Sequence, residues 1–170
     1  PVHLGLEHYP NIYCGVAVFL LYPLYVMDKD INLCEKIGKS VLLLVFLTAF
    51  NLNIPNFIWH GFHYPNSLPC RQSFIYIFFL LTMCYEALSH IKRMTSRQLG
   101  IAVWISLGLL VLIEQVFAVD ETYDFKAIYL SGAFILVYAG LMIVYNKTNW
   151  KLPVTVFLAF IVCIIECNIN

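Results

Sequence analysis

Charged residues are scarce in this sequence, and their scarcity argues against a soluble fold. Aspartate, glutamate, lysine and arginine make up 12% of the 170 residues, and the formal net charge is zero. A chain of this length that is 61% hydrophobic lies outside the composition of soluble domains. No nucleic-acid partner is expected, because such binding requires a clustered basic surface. The composition predicts a protein that crosses a membrane several times.

The CxxC pairs that often bind a metal are also missing. The six cysteines include no CxxC pair, and four of them lie within apolar runs, where a free cysteine behaves as a small hydrophobic residue. We therefore expect no cofactor and no disulfide framework. The chain begins without Met and without the pattern of a signal peptide. We interpret residues 1–170 as one transmembrane domain fragment, an excerpt from a longer protein.

Six apolar runs predict an all-α fold, a bundle of about six transmembrane helices. The runs cover residues 12–27, 39–54, 73–91, 99–118, 127–145 and 153–167. Pro23 lies inside the first run and predicts a kinked or thinly spanning helix. The charged residues 28–40 indicate a solvated connector, with a short interfacial helix as the alternative.

Basic residues near the helix ends orient the predicted bundle. The first, third and fifth connections contain Lys29, Lys36, Lys39, Lys92, Arg93, Arg97, Lys147 and Lys151. The second and fourth connections contain only Arg71 and Lys126. The odd connections are therefore predicted to be cytoplasmic, and the second connection and both ends of the chain are predicted to face outward.

The second connection has the most unusual composition in the chain. Residues 51–74 read NLNIPNFIWHGFHYPNSLPCRQSF, and Pro55, Pro65 and Pro69 predict a loop because proline interrupts a helix. The candidate binding residues in this loop are Trp59, His60, Phe62, His63, Tyr64 and Arg71. Two interpretations remain open: an aromatic belt that anchors two helices at the membrane surface, or a built binding site.

Further polar residues are predicted to lie on the same outer side, namely Glu7, His8, Glu114 and Glu166. A carboxylate within a span usually faces the bundle interior and indicates function. Arg71 suits a phosphate, which it can bind through two parallel hydrogen bonds, but pairing with Glu114 or Glu166 is the alternative. His60 and His63 have no third ligand beside them, so a divalent metal has little support.

The run NFIWHGFHYPNSLPCRQSFIYIF resembles the signature loop of the YfhO family of bacterial membrane proteins, which reads approximately WHGFH-x-PN-x-LP-x-R-x-SF. Similar pieces are PNIYCGV at residues 10–16, LLYPLY at residues 20–25, and the Glu-x-x-x-Asn ending of the sixth span. The similarity extends over nearly all 170 residues and covers the later part of the family's membrane region. Cys70 and Gln72 depart from the aromatic residues expected beside Arg71.

The resemblance implies a multi-pass glycosyltransferase in the cytoplasmic membrane of a bacterium. Such a protein would move a sugar from a polyprenyl-phosphate donor to a cell-envelope polymer, such as lipoteichoic acid, on the outer face. Its partners would be this donor, the polymer acceptor and the membrane lipids. A transporter or flippase for the same lipid and a non-catalytic scaffold are the alternatives.

The resemblance also implies roles for the residues of the loop. Arg71, with His60 or His63, would contact the lipid phosphate. Three aromatic rings would stack on the sugar or hold the isoprenoid, namely those of Trp59, Phe62 and Tyr64. The general base is expected upstream of this chain, so the excerpt alone is expected to be inactive.

Overall fold

The computed structural model of the protein describes residues 12–59, 61–63, 73–117, 125–148 and 152–169. Within these ranges the chain forms helices and no strand, which confirms the predicted all-α fold. The helices are α1 (Ala17–Met27), α2 (Leu33–Asn51), α3 (Asn53–Trp59), α4 (Ser73–Ser89), α5 (Ser96–Phe117), α6 (Phe125–Lys147) and α7 (Leu152–Ile169). A single 3₁₀ turn, Ile91–Arg93, lies between α4 and α5.

Three helices in the described part of the chain are long and apolar enough to cross a membrane. They are the stretches Ser96–Gln115, Lys126–Lys147 and Leu152–Ile169. Helices α1 and α4 are apolar but shorter. Helix α2 has 19 residues, but Glu35, Lys36 and Lys39 lie in its first half. These helices agree with a membrane protein, and the total of six spans stays a prediction.

The beginnings of two helices differ from the sequence prediction. Helix α1 begins at Ala17, and residues 12–15 before it are not helical. Helix α2 begins at Leu33, because the side-chain oxygen of Asn32 accepts a hydrogen bond from the backbone N–H of Cys34 at 3.0 Å and so caps the first turn. The preferred interpretation of residues 28–40 as a connector was therefore wrong from residue 33 onward.

The stretch predicted as a loop contains a helix. Helix α3 runs from Asn53 to Trp59, with Pro55 as its third residue. Proline is tolerated at that position because the N–H groups of the first helical turn have no partner within the helix. The loop prediction was wrong for residues 53–59, since it treated the proline as a break when it lies at a helix start.

The described helices belong to two compact units. The first unit, residues 1–14 and 32–82, includes α2, α3 and the first part of α4. Phe46 of α2 is buried at its centre, with the ring of Trp59 at 4.9 Å and the ring of Tyr76 at 6.5 Å, both edge-on. This aromatic cluster joins the three helices of the unit and fixes where α3 ends.

The second unit, residues 15–31 and 83–170, includes α1, the end of α4 and helices α5 to α7. Helix α5 packs against α1 and α6, and α6 also packs against α7. Buried residues recur at helical spacing on the packed faces. They include Leu20 and Leu24 of α1 with Val16 just before it, Leu99, Ala102, Ser106 and Leu110 of α5, and Ile135, Tyr138 and Met142 of α6. Most of the surface of α7 is exposed and apolar, as suits a helix in contact with lipid.

Polar contacts hold three connections together at one end of the second unit. Gln98 donates a hydrogen bond to the carbonyl oxygen of Met27 at 2.8 Å. Asn146 donates to the carbonyl oxygens of Ile91 and Met94 at 2.6 and 3.0 Å. The connections that follow α1, α4 and α6 therefore lie at the same end of this unit. These are the three basic connections, and the side of the membrane they face stays a prediction.

Candidate functional site

The sequence WHGFH contains the C-terminus of α3. The N–H of Gly61 donates to the carbonyl of Ile58 at 3.1 Å, and the N–H of Phe62 donates to the carbonyl of Phe57 at 2.9 Å. Gly61 has a φ of 68°, in the left-handed region where glycine is favoured. These features form a Schellman motif, and the Phe57 and Phe62 rings, 5.8 Å apart, supply its hydrophobic contact. We call Phe57, Ile58, Trp59, Gly61 and Phe62 the aromatic cap.

The aromatic cap leaves much of its ring surface open. The side chain of Phe62 is 70% exposed and that of Trp59 is 42% exposed. Phe62 also has a positive φ, 63°, which is uncommon for a bulky residue. His63, which follows directly, is exposed as well. The structure thus places two predicted rings and one predicted histidine at the end of α3.

The remaining loop candidates, His60, Tyr64 and Arg71, lie outside the described residues, as do Glu7 and His8 near the start of the chain. Their predicted roles therefore stay predictions. Gly61 has a positive φ of 68° and lies after the end of α3, so His63 lies outside that helix.

Glu166 of α7 is completely buried, with 0% of its surface exposed. Its Oε1 accepts a hydrogen bond from the backbone N–H of Val16 at 2.6 Å, and its Oε2 accepts one from the hydroxyl of Tyr138 at 2.7 Å. Gly15, with a φ of 91°, lies beside the carboxylate. The carboxylate therefore lies inside the second unit, where a charged residue of a span is expected. It joins α7 to α6 and to the start of α1.

Glu114, the other predicted carboxylate in a span, has a different environment. It is partly exposed and accepts a hydrogen bond from the hydroxyl of Tyr129 at 3.2 Å. Glu114 and Glu166 thus contact different tyrosines of α6. Pairing of either carboxylate with Arg71 stays a prediction, because Arg71 lies outside the described residues.

Sequence reasoning missed a group of four side chains that we call the polar clasp: Asp28, Asp30, His90 and Arg93. Asp28 is 4% exposed, and its Oδ2 lies 2.7 Å from Nδ1 of His90. Its Oδ1 accepts from the N–H of Asp30 at 2.9 Å, and Oδ2 of Asp30 accepts from Nη1 of Arg93 at 2.8 Å. The bond from Arg93 lowers the pKa of Asp30, and the same bond raises the pKa of Arg93.

The polar clasp has the spacing of a possible metal site but is explained without a metal. Ligand atoms of Asp28, Asp30 and His90 all lie within 4.8 Å of one another. Asp28 already contacts the N–H of Asp30 and the ring of His90, and Asp30 contacts the guanidinium of Arg93. We therefore interpret the clasp as an ion-pair network that joins the end of α1 to the turn before α5.

Signals for the missed residues were present but weak. Asp28 directly follows an apolar run and His90 lies two residues before a basic pair, yet nothing local relates two positions 62 residues apart. Tyr138 lies in the middle of a span, where a buried hydroxyl requires a hydrogen-bond partner. That requirement could have marked Tyr138 as a partner for a carboxylate, but not which one.

One protein-family model matches the chain from residue 3 to residue 170 and is described as bacterial membrane protein YfhO. No curated protein and no solved structure matches the chain. The family match covers the aromatic cap, the polar clasp and the contacts of Glu166.

Proposed function

Because this chain belongs to the YfhO family of bacterial membrane proteins, we propose that it is part of a glycosyltransferase of the bacterial cytoplasmic membrane. The protein transfers a sugar from a polyprenyl-phosphate donor to a cell-envelope polymer, such as lipoteichoic acid, on the outer face. In this reaction an acceptor hydroxyl attacks the anomeric carbon of the sugar and polyprenyl phosphate leaves. The general base takes the hydroxyl proton and lies upstream of this chain.

The exposed aromatic cap is the observation that carries the proposal. Rings that combine an apolar face with a polar edge or neighbour suit both an isoprenoid chain and the face of a sugar. Two backbone hydrogen bonds and the contact with Phe57 hold Phe62 in place. A ring that is ordered before the ligand arrives loses less conformational entropy on binding. The cap therefore supports a ligand-binding role for Trp59 and Phe62.

Arg71 is proposed to bind the donor phosphate, with His60 or His63 beside it and Tyr64 among the rings. A guanidinium offers two parallel hydrogen bonds to a phosphate, whereas lysine keeps the charge but loses the planar fork. Hydrogen bonds to charged groups contribute about 1.5–3 kcal/mol, so Arg71→Ala should weaken donor binding by about one to two orders of magnitude. Arg71→Lys should bind the donor more weakly than the unchanged protein but more tightly than Arg71→Ala.

The test uses the full-length protein in liposomes with a polyprenyl-phosphate sugar, and it measures donor binding and sugar transfer separately. Phe62→Leu should weaken donor binding, because leucine retains apolar character but not the ring. Trp104→Leu is the matched control, since the Trp104 side chain is 78% exposed on α5. An equal effect of both substitutions would assign the aromatic cap to a membrane-surface belt and overturn its role in binding.

The same measurements separate an enzyme from a transporter of the lipid. A transporter would bind the donor and would be equally sensitive to Arg71→Ala, but the bond between sugar and phosphate would stay intact. Donor binding without sugar transfer, in the presence of acceptor polymer, would therefore reject the glycosyltransferase.

A further inference from the structure

Pro23 lies inside α1 and removes one hydrogen bond from that helix. In a continuous α-helix the N–H of residue 23 donates to the carbonyl oxygen of residue 19, but proline has no N–H. The carbonyl of Phe19 therefore loses its donor within α1. A carbonyl without a donor is costly in an apolar interior, and in membrane proteins a serine or threonine of a neighbouring helix can supply one.

Ser106 of α5 supplies the missing hydrogen bond. The side chain is completely buried, and its hydroxyl donates to the carbonyl oxygen of Phe19 at 2.6 Å. The same hydroxyl lies 2.7 Å from the carbonyl oxygen of Ala102, one turn earlier in α5. Because a serine hydroxyl carries one proton, the two carbonyls compete for it. Ser106 therefore keeps an acceptor in its own helix whether or not α1 is beside it.

The register between α1 and α5 places the proline against a small residue. Gln98 donates to the carbonyl oxygen of Met27 at 2.8 Å, and both residues lie eight positions from their counterparts in the Ser106 contact. The two helices therefore run antiparallel and in step. Midway between the two contacts residue 23 lies opposite residue 102, and Pro23 and Ala102 are both buried. The gap left by the missing N–H thus faces α5.

We propose that Pro23 and Ser106 form a releasable latch between α1 and α5. In the closed latch, which is the arrangement in the structure, Ser106 replaces the N–H that proline lacks, so the Phe19 carbonyl has a donor only while α1 lies on α5. In the open latch the hydroxyl donates to Ala102 alone, and α1 bends at the proline, the usual position of a helix kink. The latch concerns only the packing of α1 and does not depend on sugar transfer.

Hydrogen–deuterium exchange of the purified full-length protein tests the latch, because exchange of the α1 amides reports how often this helix opens. Ser106→Ala leaves the Phe19 carbonyl without a donor and should raise exchange in α1 by about 5- to 150-fold. Pro23→Ala restores the N–H within α1, so Ser106→Ala in that background should raise exchange much less. Ser131→Ala is the control, since it removes a hydroxyl from α6, and it should leave exchange in α1 unchanged.

Three results would overturn the latch. An equal rise of α1 exchange in both backgrounds would show that Ser106 acts through packing or through its bond to Ala102. No rise in the protein that retains Pro23 would show that the Phe19 carbonyl does not need this donor. A rise of the same size in α5 would indicate loss of the whole bundle instead of local opening of α1.

Folding itself provides a second measurement. If Ser106→Ala alone fails to fold, recovery of folding by added Pro23→Ala supports the latch, and failure of this double variant to fold overturns it. None of these measurements uses the sugar donor, so their outcome is distinct from that of the proposed transferase activity.

Discussion

The carboxylate of Glu166 lies 2.6 Å from the backbone nitrogen of Val16, a residue 150 positions earlier in the chain. Val16 directly precedes α1, so a side chain near the end of α7 fixes the start of the first described helix. The partial positive charge at a helix N-terminus attracts a carboxylate, and burial strengthens that attraction. This contact therefore links the stability of the start of α1 to the position of α7.

Glu166→Gln should lower the stability of the second unit. A glutamine amide offers one acceptor oxygen where the carboxylate offers two, so the bond from Val16 or the bond from Tyr138 is lost, at a cost of about 1–3 kcal/mol. Thermal unfolding of the purified full-length protein measures the effect. Glu114→Gln is the control, because the Glu114 carboxylate is partly exposed and its bond to Tyr129 is longer, 3.2 Å. Equal losses of stability would contradict a special role for the buried carboxylate.

Tyr138→Phe should destabilise the protein more than Tyr129→Phe. The Tyr138 hydroxyl donates to a carboxylate in the interior, and its removal deletes that buried hydrogen bond, at a cost of about 1–3 kcal/mol. Tyr129 is 67% exposed, so water can replace the bond that its hydroxyl makes and the loss of stability should be smaller. The double variant Tyr138→Phe with Glu166→Gln should lose less stability than the sum of the single changes. Strict additivity would show that the two side chains are not coupled.

Gly61→Ala and Gly38→Ala should change stability in opposite directions. Gly61 ends α3 with a φ of 68°, where a β-carbon costs about 1–2 kcal/mol. Gly38 lies inside α2, and a β-carbon there meets no atom within 4 Å, so alanine should stabilise the helix by about 0.5–1 kcal/mol. The unfolding temperatures of the two variants, each compared with that of the unchanged protein, test both predictions. A neutral Gly61→Ala would contradict the Schellman geometry of the aromatic cap.

The polar clasp predicts a dependence of stability on acid. The pKa of Asp30 is lowered in the folded protein, chiefly by the hydrogen bond from Arg93. The pKa of Asp30 in the unfolded protein is about 3.9, and its stabilising contribution is complete above that pH. The contribution is lost as the pH falls through the lower pKa that Asp30 has in the folded protein. Asp30→Asn should reduce the drop in unfolding temperature between pH 5 and pH 3. An unchanged drop would assign the acid sensitivity to other carboxylates.

The membrane class and the all-α fold could be predicted from composition and apolar runs, because both follow from local hydrophobicity. Pro55 shows where this local reasoning failed. Proline interrupts a helix interior but is accepted in a first turn, and the sequence does not say which position it holds until the helix start is known. The packing of Trp59 and Tyr76 around Phe46 places α3 against its neighbours.

The candidate site was predicted in part. The pattern WHGFH indicated exposed rings next to histidines, and the structure exposes Trp59, Phe62 and His63. The sequence also marked Glu166 as an unusual carboxylate of a span. It did not indicate Tyr138 or Val16 as the partners of Glu166, since hydrogen-bond partners between helices depend on how the helices pack.

The sequence by itself determined that this chain is a membrane protein. Its resemblance to one family identified the stretch around Arg71 as the candidate ligand-binding site. Hydrophobicity and short motifs are properties of neighbouring residues, so they can be read without coordinates. Only the tertiary structure decided that α1 begins at Ala17, that Glu166 accepts a hydrogen bond from the residue before it, and that Asp28 contacts His90. These contacts join positions 62 and 150 residues apart, and a buried polar atom takes whichever partner the packed helices bring within hydrogen-bond distance.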